Sequence, residues 1–161
     1  MNKSQYNESV SLYSDNIYRF ILKNIRDAEK AKDIVQDTYV KLWDKIDTVD
    51  FQKVKSYLFT AAYHTLIDVV RRDKKQTTFG EVNFNEYAHS DGYSDLKEIL
   101  DEAISKLPEI QRSVVMLRDY EGYSYQEIGE ILSLSESQVK VYIFRSRKFL
   151  KNYLVSVENL M

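Results

Sequence analysis

The sequence predicts an all-α protein: two small helical domains joined by a tether, with a helix-turn-helix in the second. Three observations carry this. One proline and four glycines in 161 residues leave long stretches free of helix breakers. Apolar residues recur at three- and four-residue spacing through most of the chain. That periodicity lapses between Gln76 and Asp95, where Gly80, Asn83, Asn85, Ser90, Asp91 and Gly92 collect. The same stretch carries Glu81, Glu86, Asp91 and Asp95 and no Lys or Arg. A structureless loop of this length is uncommon inside a compact fold. Residues 77–95 are therefore read as an acidic tether between a domain at 1–76 and a domain at 96–161. A flexible tether would span roughly 25 Å, from about 5–6 Å × √20. An ordered surface loop within one domain is the alternative.

In the first predicted helix, Val10, Tyr13, Ile17, Phe20 and Ile21 share a face. In the next, which follows Asp27, the shared face is Ala31, Ile34, Val35, Thr38 and Leu42. The opposite side of that second helix presents Asp33, Gln36, Asp37, Val40 and Asp44, with Lys41 at its edge. An acidic ridge enclosing an apolar residue suits docking to a basic protein partner. A solvated face whose acids favour the helix N-terminus is the plainer reading.

The helix from Val54 to Arg72 is apolar nearly all round, as a helix buried among others is. One polar stripe remains: Tyr57, Thr60, His64, Asp68 and Arg71, at spacings of three and four. It runs out into Arg71, Arg72, Lys74 and Lys75, offset only by Asp73. An aromatic and a His beside a basic end is the composition that holds unpaired bases, by stacking and phosphate contact. His64 and Asp68 could instead be a packed hydrogen-bonded pair. As metal ligands they lack a third partner, so no metal is expected.

The last third reads as two short helices and a longer basic one. Pro108 suits the first turn of a helix, and the run from Ile110 to Leu117 ends near Gly122. Ser124 precedes Glu127 by three residues, and Ser135 precedes Gln138 by three. Each is a capping-box pattern. Between the boxes lie Ile128, Ile131, Leu132 and Leu134. This is a helix-turn-helix, whose second helix enters a DNA major groove. On that helix Val139, Ile143, Ser146, Leu150 and Leu154 project together and should pack inward. Opposite lie Val141, Phe144, Arg145 and Lys148, flanked by Lys140 and Lys151. From Ser135 to Lys151 five cations stand against Glu136 alone. Apolar side chains among cations suit a groove, where they meet thymine methyls while cations meet base edges or phosphates. An amphipathic helix that packs its basic face on a protein is the rival.

Composition narrows the function. A net charge of −2 excludes a generic polyanion binder, so cations must act locally. With no cysteine, disulfides and thiolate metal sites are excluded. Met1 to Val10 lacks the apolar run of a signal peptide, and no stretch approaches a membrane span, so a cytoplasmic protein is expected.

These pieces, in order, resemble a family. The helix Asp33-Ile-Val-Gln-Asp-Thr-Tyr-Val-Lys-Leu-Trp43 comes first. Ser56-Tyr-Leu-Phe-Thr-Ala-Ala62 follows, with Ile67-Asp68 and Arg71-Arg72. Then come Leu107-Pro108, Gln111-Arg112, Gly122-Tyr-Ser-Tyr-Gln-Glu-Ile128, Val139-Lys140 and Arg145-Ser-Arg147. Together they resemble the extracytoplasmic-function group of bacterial RNA polymerase sigma factors, over nearly the whole chain. The resemblance implies that Asp33, Gln36, Asp37, Val40 and Asp44 dock on core RNA polymerase. It implies that Tyr57, Thr60, His64, Arg71, Arg72, Lys74 and Lys75 meet the −10 element of promoter DNA, one base of it flipped out. It implies that Ser135, Gln138, Lys140, Val141, Phe144, Arg145, Arg147 and Lys148 meet the −35 element. By charge analogy, the acidic tether would run through the polymerase's nucleic-acid channels. An anti-sigma protein is a further partner the family allows; no cofactor and no catalytic residue is expected. There are departures. His64 stands where many members have Asn, Ser133 where the turn often has Gly, Ser137-Gln138 where Gly-Thr is common, and Val141 at a commonly polar position. Two rivals remain: a stand-alone helix-turn-helix repressor or activator, and a metal-dependent enzyme built on His64 and Asp68.

Overall fold

The computed structural model describes residues 1–76 and 95–160. Seven α-helices account for nearly all of them. The first unit holds α1 (Lys3–Ile25), α2 (Ala28–Asp44) and α3 (Val54–Gln76), the last entered through a 3₁₀ turn at Phe51–Lys53. The second holds α4 (Asp95–Ser105), α5 (Glu109–Val115), α6 (Tyr125–Leu132) and α7 (Glu136–Leu160). The expected tether lies outside the described residues, save Asp95, which begins α4.

Local chemistry sets the ends of these helices. Asn2 and Gln5 form a reciprocal capping box at the start of α1. Arg26 closes it in the left-handed region (φ 55°), and Asp27 at once caps α2 by accepting from the Lys30 N–H. Two helices are thus joined by a two-residue corner. Inward faces are as the periodicity predicts: Ile17, Phe20 and Ile21 of α1 and Ala31, Ile34 and Leu42 of α2 are buried. Val10, expected on the same face, is 36% exposed instead. α3 runs one turn past Arg72, so its basic end is helical.

Between Leu107 and Gly122 the sequence suggests one plain helix. Pro108 stands at the N-cap rather than inside the first turn, and after seven α-helical residues the chain widens into a π-helical turn at Met116–Tyr120. Such turns insert one residue and swing the following side chains round the axis. Here the swing buries Met116 and Leu117 and turns Arg118 and Asp119 toward the helix-turn-helix.

The two units share one apolar core among the described residues. It runs from Phe20 across Phe59 to Tyr123 and on to Ile128 and Val139. Phe20 meets Phe59 edge-on at 5.6 Å, and Phe59 meets Tyr123 the same way at 5.4 Å. α3 and α6 therefore pack directly against each other.

Candidate nucleic-acid and docking surfaces

The helix-turn-helix is built as its two capping boxes require. Ser124 Oγ accepts from the Glu127 N–H at 3.1 Å, and Glu127 Oε1 accepts from the Ser124 N–H at 3.1 Å. Ser135 and Gln138 repeat the exchange at 3.1 and 2.9 Å. Both side chains of this second box, expected on DNA, are thus engaged in holding the first turn of α7. The turn between the helices is tight. Ser133 takes the left-handed conformation (φ 58°), where glycine is easier. Gly129 is needed for closeness: a Cβ there would lie 2.6 Å from the Leu134 carbonyl oxygen.

On α7, Val139, Ile143 and Ser146 are buried, and Leu150 and Leu154 half-buried. The opposite face is open. Phe144 is 69% exposed and Val141 44%, with Lys140, Arg145 and Lys148 around them. Arg147 differs from its neighbours. Its Nη2 donates to Asp119 Oδ1 at 2.5 Å and its Nε to Oδ2 at 3.4 Å. That hydrogen bond raises the guanidinium's already high pKa, and the two opposite charges offset each other locally. Sequence reasoning missed Asp119, which lies 28 residues away. It also missed Tyr125. The ring of Tyr125 lies under Arg118 (4.6 Å) and Lys140 (5.8 Å) and lines one groove with Phe144, Lys148 and Lys151. An aromatic first residue in α6, directly after a cap, was the available signal.

On α2 the expected ridge is continuous and exposed: Asp33, Gln36, Asp37, Val40 and Asp44. Lys41 does not offset it locally, because its ammonium reaches inward to Thr65 Oγ1 at 2.7 Å. Val40 is 58% exposed and Trp43, not anticipated, 48%. Tyr6 holds the Trp43 ring edge-on at 5.1 Å. Val40 and Trp43 are three apart on one helix, a spacing legible in the sequence.

The α3 stripe is also brought together. Tyr57 and Thr60 are half-buried, while His64, Asp68 and Arg71 are exposed. Burial raises the Tyr57 phenol, with the Asp44 charge adding to it. Thr60 spends its hydroxyl on the Ser56 carbonyl. His64 stands edge-on to Tyr63. Arg71, Arg72 and Lys74 are exposed, and Asp73, the acid among them, is held by Lys30 of α2. The Lys75 side chain lies outside the described residues. Among the described residues, no group of three or more His, Asp or Glu could hold a metal ion.

Known proteins share these surfaces' framework. Residues 10–76 match the family described as Sigma-70 region 2, and residues 97–150 match Sigma-70, region 4. The ECF RNA polymerase sigma factor SigM of Bacillus subtilis is 32% identical over 149 residues, 89% of this chain and 91% of that one. The RNA polymerase sigma factor YlaC of the same organism is also 32% identical, over 86% of each chain. Among solved structures, the sigma factor RpoE in complex with the anti-sigma factor NepR from Bartonella quintana superposes with a TM-score of 0.78 at 23% identity. That match covers 92% of this chain and 96% of that one. CnrH in complex with the cytosolic domain of CnrY gives 0.71 at 20% identity, over 96% and 90%. At such identities these two structures speak to the fold.

Proposed function

The chain belongs to the extracytoplasmic-function group of RNA polymerase sigma factors, and on that premise we propose which residues do its work. Proteins of this group are transcription initiation factors: they bind core polymerase, direct it to specific promoters and help open the −10 region. In our reading this chain performs no chemistry itself and acts in the cytoplasm. No described helix is long and apolar enough to cross a membrane.

Docking falls to the α2 ridge. Asp33, Asp37 and Asp44 meet cationic side chains of polymerase, and Val40, with Trp43 beside it, supplies the desolvated centre. Strand opening falls to α3. Tyr57, Thr60 and His64 receive an unpaired base, and Arg71, Arg72, Lys74 and Lys75 hold phosphates. Reading of the −35 element falls to α7. Lys140 and Arg145 meet base edges, Val141 and Phe144 meet thymine methyls, and Lys148 meets a phosphate. Ser135, Gln138 and Arg147 hold that surface in shape. An anti-sigma protein is a further partner, as the structural neighbour RpoE was solved with one.

One observation carries the reading most: an apolar pair, Val141 and Phe144, stands open among cations on the face of α7 opposite its buried residues. The purified chain should pull down core polymerase and support run-off transcription from a cognate promoter fragment. A chain that binds duplex operators but neither binds core nor supports transcription would be a stand-alone repressor or activator instead.

A further inference from the structure

Trp43 is the chain's single tryptophan, and 48% of it is open to solvent. A side chain this exposed ordinarily moves between rotamers within picoseconds to nanoseconds. Here the indole is held. The Tyr6 ring of α1 stands edge-on to it, with 5.1 Å between centroids. Tyr6 is itself anchored. Its hydroxyl donates to the Tyr39 carbonyl oxygen at 3.0 Å, one turn before Trp43 on α2. Its ring lies edge-on to Tyr39 at 6.0 Å. Its own carbonyl oxygen accepts from the buried Ser9 hydroxyl at 2.6 Å. The Tyr39 hydroxyl, buried as well, returns the contact by donating to the Ser9 carbonyl oxygen at 2.9 Å. Two helices thus meet through reciprocal tyrosine contacts, and the indole is where that cluster reaches solvent.

The surface beside the indole is acidic. Trp43 borders the exposed ridge of Asp33, Asp37 and Asp44, with Val40 among them. A surface of this sign draws cations. A cation over an indole face is stabilised by the ring quadrupole, the more so once water is excluded. Guanidinium suits this best, being planar, weakly hydrated and able to stack. Ordering a side chain at the moment of binding costs affinity, and an indole ordered beforehand avoids that cost.

We propose that Tyr6 is a positioning residue for docking: it fixes the Trp43 indole so that the open part of the ring receives a cationic side chain of core polymerase, an arginine by preference. The proposal rests on the assignment of the α2 ridge to docking made above. The ordering of Trp43 is a property of the free protein.

Variants of the whole chain test it. With Trp43 the sole tryptophan, time-resolved fluorescence anisotropy of the free chain reads its mobility directly. Tyr6→Leu should add a decay of nanoseconds or faster, and Tyr6→Phe, which keeps the ring, should restore the wild-type trace. Core binding should weaken about two- to tenfold in Tyr6→Leu, the loss expected when one more side chain is ordered on binding, and recover in Tyr6→Phe. In a Trp43→Ala background the same Tyr6→Leu change should cost nothing further. Trp43→Phe should bind core more tightly than Trp43→Leu, since only the aromatic offers a π face. Unchanged anisotropy or unchanged core binding in Tyr6→Leu overturns the proposal. So does an undiminished loss in the Trp43→Ala background, which would make Tyr6 a packing residue only. Equal binding by Trp43→Phe and Trp43→Leu overturns the cation as occupant. Failure of the docking assignment reads differently: Asp33→Lys with Asp37→Lys would then bind core like wild type, while Tyr6→Leu still loosened the indole in the free chain.

Discussion

Salt dependence should separate two cations that sit side by side on α7. Lys148 is exposed on the open face, whereas Arg147 is tied to Asp119 through two hydrogen bonds. Each phosphate contact releases counterions and adds about 0.9 to the slope of log affinity against log salt. Lys148→Ala should therefore flatten the slope by about 0.9. Between about 50 and 200 mM salt, a fourfold change, that amounts to about a 3.5-fold smaller loss of affinity. Removing Arg147 and Asp119 together deletes a neutral unit, so the slope should stay within error of wild type. Asp119→Ala alone frees a guanidinium beside the DNA and should steepen it by up to about 0.9. The fold should survive all three, because a pair this exposed contributes about 0–1 kcal/mol. The assay is a set of binding isotherms for holoenzyme on one promoter duplex across that salt range. If the double Arg147/Asp119 deletion flattens the slope as much as Lys148→Ala, Arg147 leaves Asp119 for a phosphate, and the fixed-pair argument is wrong.

Other outcomes follow from the same surfaces. Arg145→Ala should flatten base preference at one or two −35 positions of a promoter library, at a cost of about 1–3 kcal/mol for the lost base-edge contact; a uniform drop across the library would make it a phosphate residue. Asp33→Lys with Asp37→Lys should abolish core binding yet keep the helical circular-dichroism spectrum, since both residues are exposed; undiminished affinity would clear this helix of docking. His64→Ala should reduce permanganate reactivity of −10 thymines more on duplex than on pre-melted promoters, for about 1–3 kcal/mol of stacking; equal footprints would leave it a surface residue. Ser133→Gly relieves a left-handed non-glycine residue and should stabilise the chain by about 0.5–1 kcal/mol, a rise of about 1–4 °C in Tm; an unchanged or lower Tm refutes the strain.

What the sequence discloses here is mostly what is local. The two capping boxes are contacts between residues three apart, so Ser124–Glu127 and Ser135–Gln138 could be read directly and stand as expected. The inward and outward faces of α7 follow from a single period, and the burial of Val139, Ile143 and Ser146 agrees. The contact between the two units was hidden for the opposite reason. Asn24 pairs with Arg112 from 88 residues away, and Arg19 with Glu121 from 102. None of the four breaks its own helix's pattern, so nothing local marks them. Tyr123 stands in the short loop before the Ser124 cap, where its sequence neighbours give no sign of its burial. The π-helical turn was invisible because Met116 to Tyr120 carries no breaker; its register is set by what Asp119 and Arg118 reach in space.

Three ties cross between α2 and α3: Lys30 to Asp73, Lys41 to Thr65, and the Tyr57 hydroxyl toward the Lys41 carbonyl. They fall near the start and near the end of α2, with Ile34 packed between and Leu42 just beyond. The acidic ridge lies on the outer side of α2, and the stripe bearing His64 runs along α3. The two helices therefore behave as one plate with a different tool on each member. Whatever seats the ridge fixes the stripe at a set offset and angle, with no joint to adjust. A one-residue slip of α2 on its partner would carry the stripe residues about 1.5 Å along the helix axis and turn them by about 100° relative to the ridge. On the proposed assignment, the α2 contact sets where strands separate on polymerase, and sequence changes that loosen the ties should blur where melting begins before they weaken docking.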